Sequence, residues 1–306
     1  MPRSTLARLQ RGLGLLVLLL ACAWVIVSAR FELAWPWRCV GLLLVLLPHA
    51  PVLAAEFLLL ARLSDPHPAP APTALQLCRA WLGEVLMGVI TFGWRQPWRP
   101  NAVPDHLPAT AQGQRGIVLI HGFVCNRGLW TPWLRRLRAQ GVPFVAINLE
   151  PVFGDIDSYV PLVDGAVSRL QALTGVPPLI VAHSMGGLAS RAWLRSAQAD
   201  VRCAGVVTIG TPHHGTWLAR FAMTANGRQM RRNGPWLQAL AAAEPVERYA
   251  RFTCFFGHCD NIVFPAATAM LPGADNRHLA DTAHVHMIMR SEIWDEVTRR
   301  LQAPAV

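Results

Sequence analysis

The chain has 306 residues, 53% of them hydrophobic, with a mean hydropathy of +0.30 and a formal net charge of +10. The apolar excess is concentrated in the first hundred residues, which points to a membrane-attached protein rather than a wholly soluble one. The positive charge is carried by arginine alone, which a coding bias explains; it is scattered and lacks a reader motif, so nucleic-acid binding is excluded, whereas attraction to anionic lipid headgroups is not.

Residues 12–28 are almost wholly apolar, and residues 40–61 are interrupted only by Pro48, His49, Pro51 and Glu56. Each run is long enough to cross a hydrocarbon layer of roughly 30 Å at about 1.5 Å per residue, so the sequence predicts a transmembrane helical hairpin within residues 1–64. Arg3, Arg8 and Arg11 precede the first run, and Arg30 and Arg38 flank a link that carries Glu32, Trp35 and Trp37. The larger basic excess ahead of the first run favours a cytoplasmic amino terminus, with the chain back in the cytoplasm after the second. A cleaved signal peptide competes, because Val27, Ser28 and Ala29 resemble a cleavage site, but Arg30 and the second apolar run speak against a simple secreted enzyme.

Residues 65–113 form a second unit. Within it residues 74–92 hold Arg79 and Glu84 and read as an amphipathic helix lying on the membrane; were they to span, the following domain would face the periplasm. The stretch from Trp94 through Arg95, Trp98 and Arg99 reads as an interfacial anchor leading into a proline-rich linker.

From residue 114 to 306 the pattern changes to alternating strands and helices. Residues 116–120 read as a buried strand that turns at His121, Gly122 and Phe123; residues 130–140 as an amphipathic helix, 142–149 as a strand and 158–173 as a helix. The apolar run 178–182 leads into Val181-Ala182-His183-Ser184-Met185-Gly186-Gly187. A serine between small residues directly after a strand is the mark of a nucleophile elbow, where a sharp turn forces φ above zero and only tiny side chains fit two positions to either side. Ala182 departs from the usual glycine at the first of those positions, the mildest departure available. A helix is expected at 187–196 and a strand at 201–210.

The turn at Gly122 and Phe123 is where an oxyanion hole would sit, with the backbone N–H groups of Phe123 and Met185 as donors. Residues 251–256 form another strand-like run, and Asp260 lies just past its end as the candidate orienting acid. His284 precedes the helix-like segment 287–301 and is the candidate base, with His286 as the competing assignment. His183, His213 and His214 read as packing or loop-shaping residues, and His258 and Cys259 lack partners at metal-ligand spacing. The order Ser, Asp, His is the one expected of α/β-hydrolases.

On these residues the chain resembles the α/β-hydrolase superfamily, within it the bacterial lipase and esterase group and also the inositol-deacylase type. The resemblance covers residues 114–301 and is carried by HGF (121–123), by AHSMGG with Leu188 and Arg191 following, and by IGTPHHGT (209–216). It implies an α/β fold with a doubly wound, mostly parallel sheet, and a serine carboxylic-ester hydrolase acting on lipids or other apolar esters through an acyl-serine. The apolar runs and the arginines around them predict a multi-pass protein of the bacterial inner (cytoplasmic) membrane, with the catalytic domain on the cytoplasmic side. Residues 217–249, which mix Trp217, Leu218, Phe221, Met223 and Trp236 with Arg220, Arg228, Arg231 and Arg232, are the expected lid, with an ordinary surface helix and loop as the alternative.

No metal or organic cofactor is expected; some lipases need calcium, but clustered carboxylates that would argue for it are not seen. An acyltransferase using the same triad and a non-catalytic hydrolase-fold scaffold remain as alternatives. The seven cysteines show no disulfide framework, which fits a reducing compartment.

Overall fold

A computed structural model describes residues 4–64, 67–196 and 199–303; Arg3, one of the basic residues ahead of the first apolar run, lies outside them. Helix α1 (Thr5–Arg30) is capped by Ser4, whose hydroxyl accepts from the Ala7 N–H, and its 26 residues reach about 39 Å at 1.5 Å per residue. Leu13, Leu16, Leu19 and Ile26 are all exposed on it, with no protein to cover them, which suits a helix surrounded by lipid.

Helix α2 (Trp35–Leu46) packs back against α1, where the indole N–H of Trp24 donates to the Arg38 carbonyl at 2.9 Å. A Cβ at Gly41 would come within 2.0 Å of the Trp24 ring, so only glycine permits this approach.

The second expected span is not one straight helix. The chain bends by 75° between α2 and helix α3 (His49–Leu63). Pro48 at the junction lacks an N–H, and its ring disfavours helical backbone at Leu47, which sits at φ −120° and ψ 54°. The 12 residues of α2 cover only about 18 Å, and α3 turns onto the loops of the following domain instead of continuing across.

Helix α4 (Ala74–Trp98) passes through a π-helical stretch at Val89–Arg95 and begins with a capping box of Thr73 and Gln76. The segment expected to lie on the membrane is thus a 25-residue helix packed along α3 and on the domain surface. By length and apolarity alone α1 and α4 are each able to cross a membrane, and the bent α2–α3 pair counts as a third span if taken as one.

The amino-terminal end of α1 returns to the globular part. Thr5 donates from its backbone N–H and its hydroxyl to Glu150, Gln10 donates to Gln96, and the Arg11 guanidinium donates to the Pro97 carbonyl. The start of α1 and the end of α4 therefore lie on the same side as the domain that follows.

That domain is built on six strands, β1 (Ile117–Ile120), β2 (Phe144–Ala146), β3 (Leu179–His183), β4 (Gly205–Ile209), β5 (Phe252–Gly257) and β6 (Asp275–Leu279). They form one sheet in the order β2-β1-β3-β4-β5-β6, and every described pairing is parallel. Each residue of the first five is buried, because helices cover both faces and leave no solvent side to be marked by polar alternation. One apolar core, with Val118, Ile180 and Leu188, forms beneath helices α6 (Val160–Thr174) and α7 (Met185–Arg195). The other, with Trp130, Trp133 and Ile293, forms beneath α5 (Thr131–Ala139) and the carboxy-terminal helix Ser291–Gln302.

The strand expected at 142–149 shrinks to its centre, because its flanks turn off the sheet, and the one expected at 201–210 keeps only its carboxy-terminal half, because Ala199–Arg202 coil into a short 3-10 turn. Strand β6 was not foreseen. Its sequence Asp-Asn-Arg-His-Leu is polar and largely exposed, as an edge strand tolerates, so hydrophobic patterning carries no signal for it.

Candidate functional site

Sheet geometry explains why the singled-out residues meet. In a doubly wound parallel sheet the loops past the carboxyl ends of the strands converge on one edge, and His121, Ser184, Asp260 and His284 all lie there. Ser184, between β3 and α7, has φ 55° and ψ −130°, a conformation that favours glycine and that few side chains adopt without strain. Its N–H is tied to the Ile209 carbonyl at 2.8 Å. A Cβ at Gly186 would lie 2.6 Å from the Ile120 carbonyl oxygen and 2.7 Å from that of His121, both immovable backbone atoms, so the position two past the serine must be glycine. A Cβ at Gly122 would likewise lie 2.6 Å from the Ser184 Cβ, which shows how closely the HGF turn passes the serine.

Asp260 is buried, and its Oδ1 accepts from the N–H groups of Ile262 and Val263 at 2.9 and 2.8 Å. The His284 Nδ1 lies 2.9 Å from both Asp260 oxygens and donates to that carboxylate. Gly210, at φ 54°, leaves the space for this pair: a Cβ there would come within 2.9 Å of Asp260 Oδ2 and 3.1 Å of His284 Nδ1. Burial alone would pull the His284 imidazolium below its ordinary pKa, but the Asp260 charge and hydrogen bond outweigh it, and the pKa is raised. The His183 ring packs 4.6 Å from that of His284, and its Nε2 bonds the His284 carbonyl at 3.1 Å.

Among the described residues no hydrogen bond joins Ser184 Oγ to His284; the serine, the imidazole and the carboxylate are gathered at one strand edge, and the last two are hydrogen-bonded. Contacts of this kind commonly tighten when substrate is bound. Neither the Phe123 N–H nor the Met185 N–H has an acceptor among the described residues. Met185 opens α7, where the first N–H groups of a helix lack intrahelical partners and the dipole favours negative charge. His286 faces elsewhere, packed against α4, where a Cβ on Gly83 would fall 2.5 Å from its Nδ1.

His121 is a scaffold residue. Its Nε2 accepts from the Leu149 N–H at 3.0 Å, which leaves the proton on Nδ1 for the Gly122 carbonyl, and burial pushes its pKa down to about 4. A single neutral tautomer thus braces the turn beside Ser184. Among the described residues no group of three or more His, Cys, Asp or Glu side chains is placed to hold a metal ion.

Residues 217–249 bridge β4 and β5 as short helices. Leu237 and Leu240 enter the core, while Phe221 and Met223 stay exposed. The insertion is tied down by the buried pair Arg191–Glu244, a link between α7 and a residue 53 positions later that spacing does not reveal.

The family model described as "Alpha/beta hydrolase family" matches residues 117–304. The chain belongs to the alpha/beta hydrolase family. Among solved structures this hydrolase is similar to the mature form of Bacillus licheniformis lipase BlEst2, with 18% identity and a TM-score of 0.55 over 64% of this chain and 96% of that one. It is also similar to Aspergillus fumigatus lipase B, with 22% identity and a TM-score of 0.50 over 58% of this chain and 48% of that one. Identities this low establish a shared fold. No curated protein matches the sequence closely enough to stand as a relative.

Proposed function

We propose that this hydrolase is a membrane-anchored serine carboxylic-ester hydrolase acting on lipids or other apolar acyl esters. The observation that carries the reading is the strained Ser184 elbow with the hydrogen-bonded Asp260–His284 pair beside it. Ser184 Oγ attacks the acyl carbonyl while His284 Nε2 takes its proton, and the N–H groups of Phe123 and Met185 hold the oxyanion. Collapse breaks the ester C–O bond, the leaving alcohol takes the proton back from His284, and water repeats the sequence to release the acid. Asp260 holds the imidazole in the tautomer with the Nδ1 proton and favours the imidazolium that forms.

An apolar groove supports the acyl class of substrate. A cavity of about 460 Å³ lies between the start of α1 and the loop after β2, lined by Leu6, Leu9, Val152 and Phe153. The Phe153 ring that lines it makes an edge contact with Phe123 of the oxyanion turn, centroids 5.9 Å apart, which supports a path from this groove to the site. We assign it to the acyl chain. Phe153→Asp should lower kcat/KM on long-chain esters by roughly tenfold or more, the worth of about two buried methylenes, and leave acetyl esters within about threefold; an equal loss on both would remove the groove from the reading.

The docking of the α1 start on the hydrolase, with Arg8 and Arg11 nearby, supports a domain on the cytoplasmic side of the inner membrane. A membrane-impermeant fluorophosphonate probe tests both parts in sealed vesicles. Native protein should be labelled in inverted vesicles and not in right-side-out ones, and Ser184→Ala in neither. Label surviving in Ser184→Ala would refute the nucleophile, and label confined to right-side-out vesicles would refute the sidedness.

A further inference from the structure

The loop carrying His284 is held by side chains from outside the hydrolase domain. Three consecutive backbone N–H groups leave this loop, and each ends on a side chain. The His284 N–H donates to Asn261 Oδ1 at 3.3 Å, and the Val285 and His286 N–H groups donate to the two carboxylate oxygens of Glu84 at 2.8 and 3.0 Å. Asn261 is itself held, because its Nδ2 donates to Glu56 Oε2 at 2.7 Å. Glu84 belongs to α4 and Glu56 to α3, each about 200 residues before the loop it serves.

The surroundings fit this contact. Glu84 is 4% exposed in a helix otherwise rich in apolar residues, a costly place for a carboxylate without the two donors it meets. The adjacent Gly83 leaves the space that the His286 ring occupies, so α4 presents a gap and an acceptor to the same loop. Phe57, Leu60 and Ala80 of α3 and α4 pack with Cys259, Phe264 and Ala283, which flank Asp260 and His284 in sequence. A helix bound only to lipid needs neither the carboxylate nor the gap.

We propose that Glu84, and Glu56 acting through Asn261, are positioning residues that set the His284 loop, so that the helices ahead of the hydrolase domain complete its active site. The inference rests on the reading of Ser184 and His284 as nucleophile and base. Neither glutamate touches the reacting atoms; each acts through backbone that carries the imidazole. Charged and titratable groups facing His284 are Asp260 after β5, His183 at the end of β3, Glu56 on α3 and Glu84 on α4.

The test uses the full chain in detergent or vesicles, with the rate of fluorophosphonate labelling and kcat per titratable serine measured beside KM. Glu84→Leu fills the volume without an acceptor and should lower kcat and the labelling rate by on the order of 100-fold, the scale of a misplaced catalytic group, with KM within about threefold. Glu84→Gln keeps one acceptor and should recover part of the loss, and Glu56→Gln, which can still accept from Asn261, should lose less than Glu56→Ala. Hydrogen exchange at the amides of 284–286 should quicken in Glu84→Leu and Glu56→Ala while the β3 amides stay protected, a localised change that general destabilisation does not produce. Native labelling rates in folded Glu84→Leu and Glu56→Ala would overturn the inference and leave the esterase reading intact. Should Glu84→Leu not fold, equal losses for Glu56→Gln and Glu56→Ala would overturn it as well. A native protein that takes no label at all would instead bring down the esterase reading, and the positioning role with it.

Discussion

Asp260→Asn should cut ester turnover by roughly 10⁴-fold while leaving the fold in place, because an amide facing His284 Nδ1 no longer selects the tautomer that accepts the serine proton. The same substitution should move the pH profile. In the native protein the Asp260 carboxylate raises the His284 pKa against the pull of burial, so kcat/KM should fall on acidification through a value raised from that of an ordinary histidine, as the imidazole takes up a proton and ceases to be a base. Loss of the Asp260 charge should shift that limb to lower pH. Stability follows the opposite sense. A raised pKa makes the protonated imidazole favour the fold; that contribution is complete below the unfolded pKa and is lost as pH rises through the folded one. A pH series of kcat/KM for both proteins decides the matter, and an unmoved acid limb would mean that the titrating group is not His284.

Removing the charge of Glu244 should produce the largest loss of stability. Arg191 and Glu244 are both almost fully buried, with the Arg191 Nε 3.1 Å from each carboxylate oxygen, a further guanidinium contact to Oε2, and the Tyr249 hydroxyl donating to Oε2 at 2.8 Å. The third guanidinium nitrogen, Nη1, donates to the His213 carbonyl at 3.0 Å, which ties the TPHHGT loop into the same network. Glu244→Leu leaves the guanidinium buried without a counter-charge, at a cost of about 3–5 kcal/mol. The double change Arg191→Met with Glu244→Leu should recover part of it, since two apolar residues need no pairing with each other while the Tyr249 hydroxyl and the His213 carbonyl still lose their partners. Urea midpoints of the three proteins measure this, and a loss below about 1 kcal/mol in the single variant would contradict a dry pair.

Legibility in the sequence followed the range of the interactions involved. The elbow is local, since the strain at Ser184 and the demand for glycine at 186 arise within one turn, and the residues of that turn announce them. Strands β1, β3, β4 and β5 were legible because burial on both faces selects continuous apolar runs. Strand β6 was not, since an exposed edge accepts almost any residue. The break in the second apolar run was marked by Pro48, but composition does not say whether the chain then continues across a membrane or turns onto a protein surface.

By itself, then, the sequence determined the parallel α/β sheet, the place of Ser184 and Asp260 past its strand ends, a histidine at 284 or 286 ahead of the last helix, and an apolar amino-terminal third. These rest on short-range steric rules and on the period of buried residues, both written into neighbouring positions. Only the tertiary structure decided which histidine pairs with Asp260, that Arg191 finds its counter-charge at Glu244, and that Glu56 and Glu84 reach the His284 loop. Those choices depend on hydrogen bonds between residues 24 to 205 positions apart, where an unpaired buried charge or N–H is costly but nothing in the local sequence names the partner that relieves it.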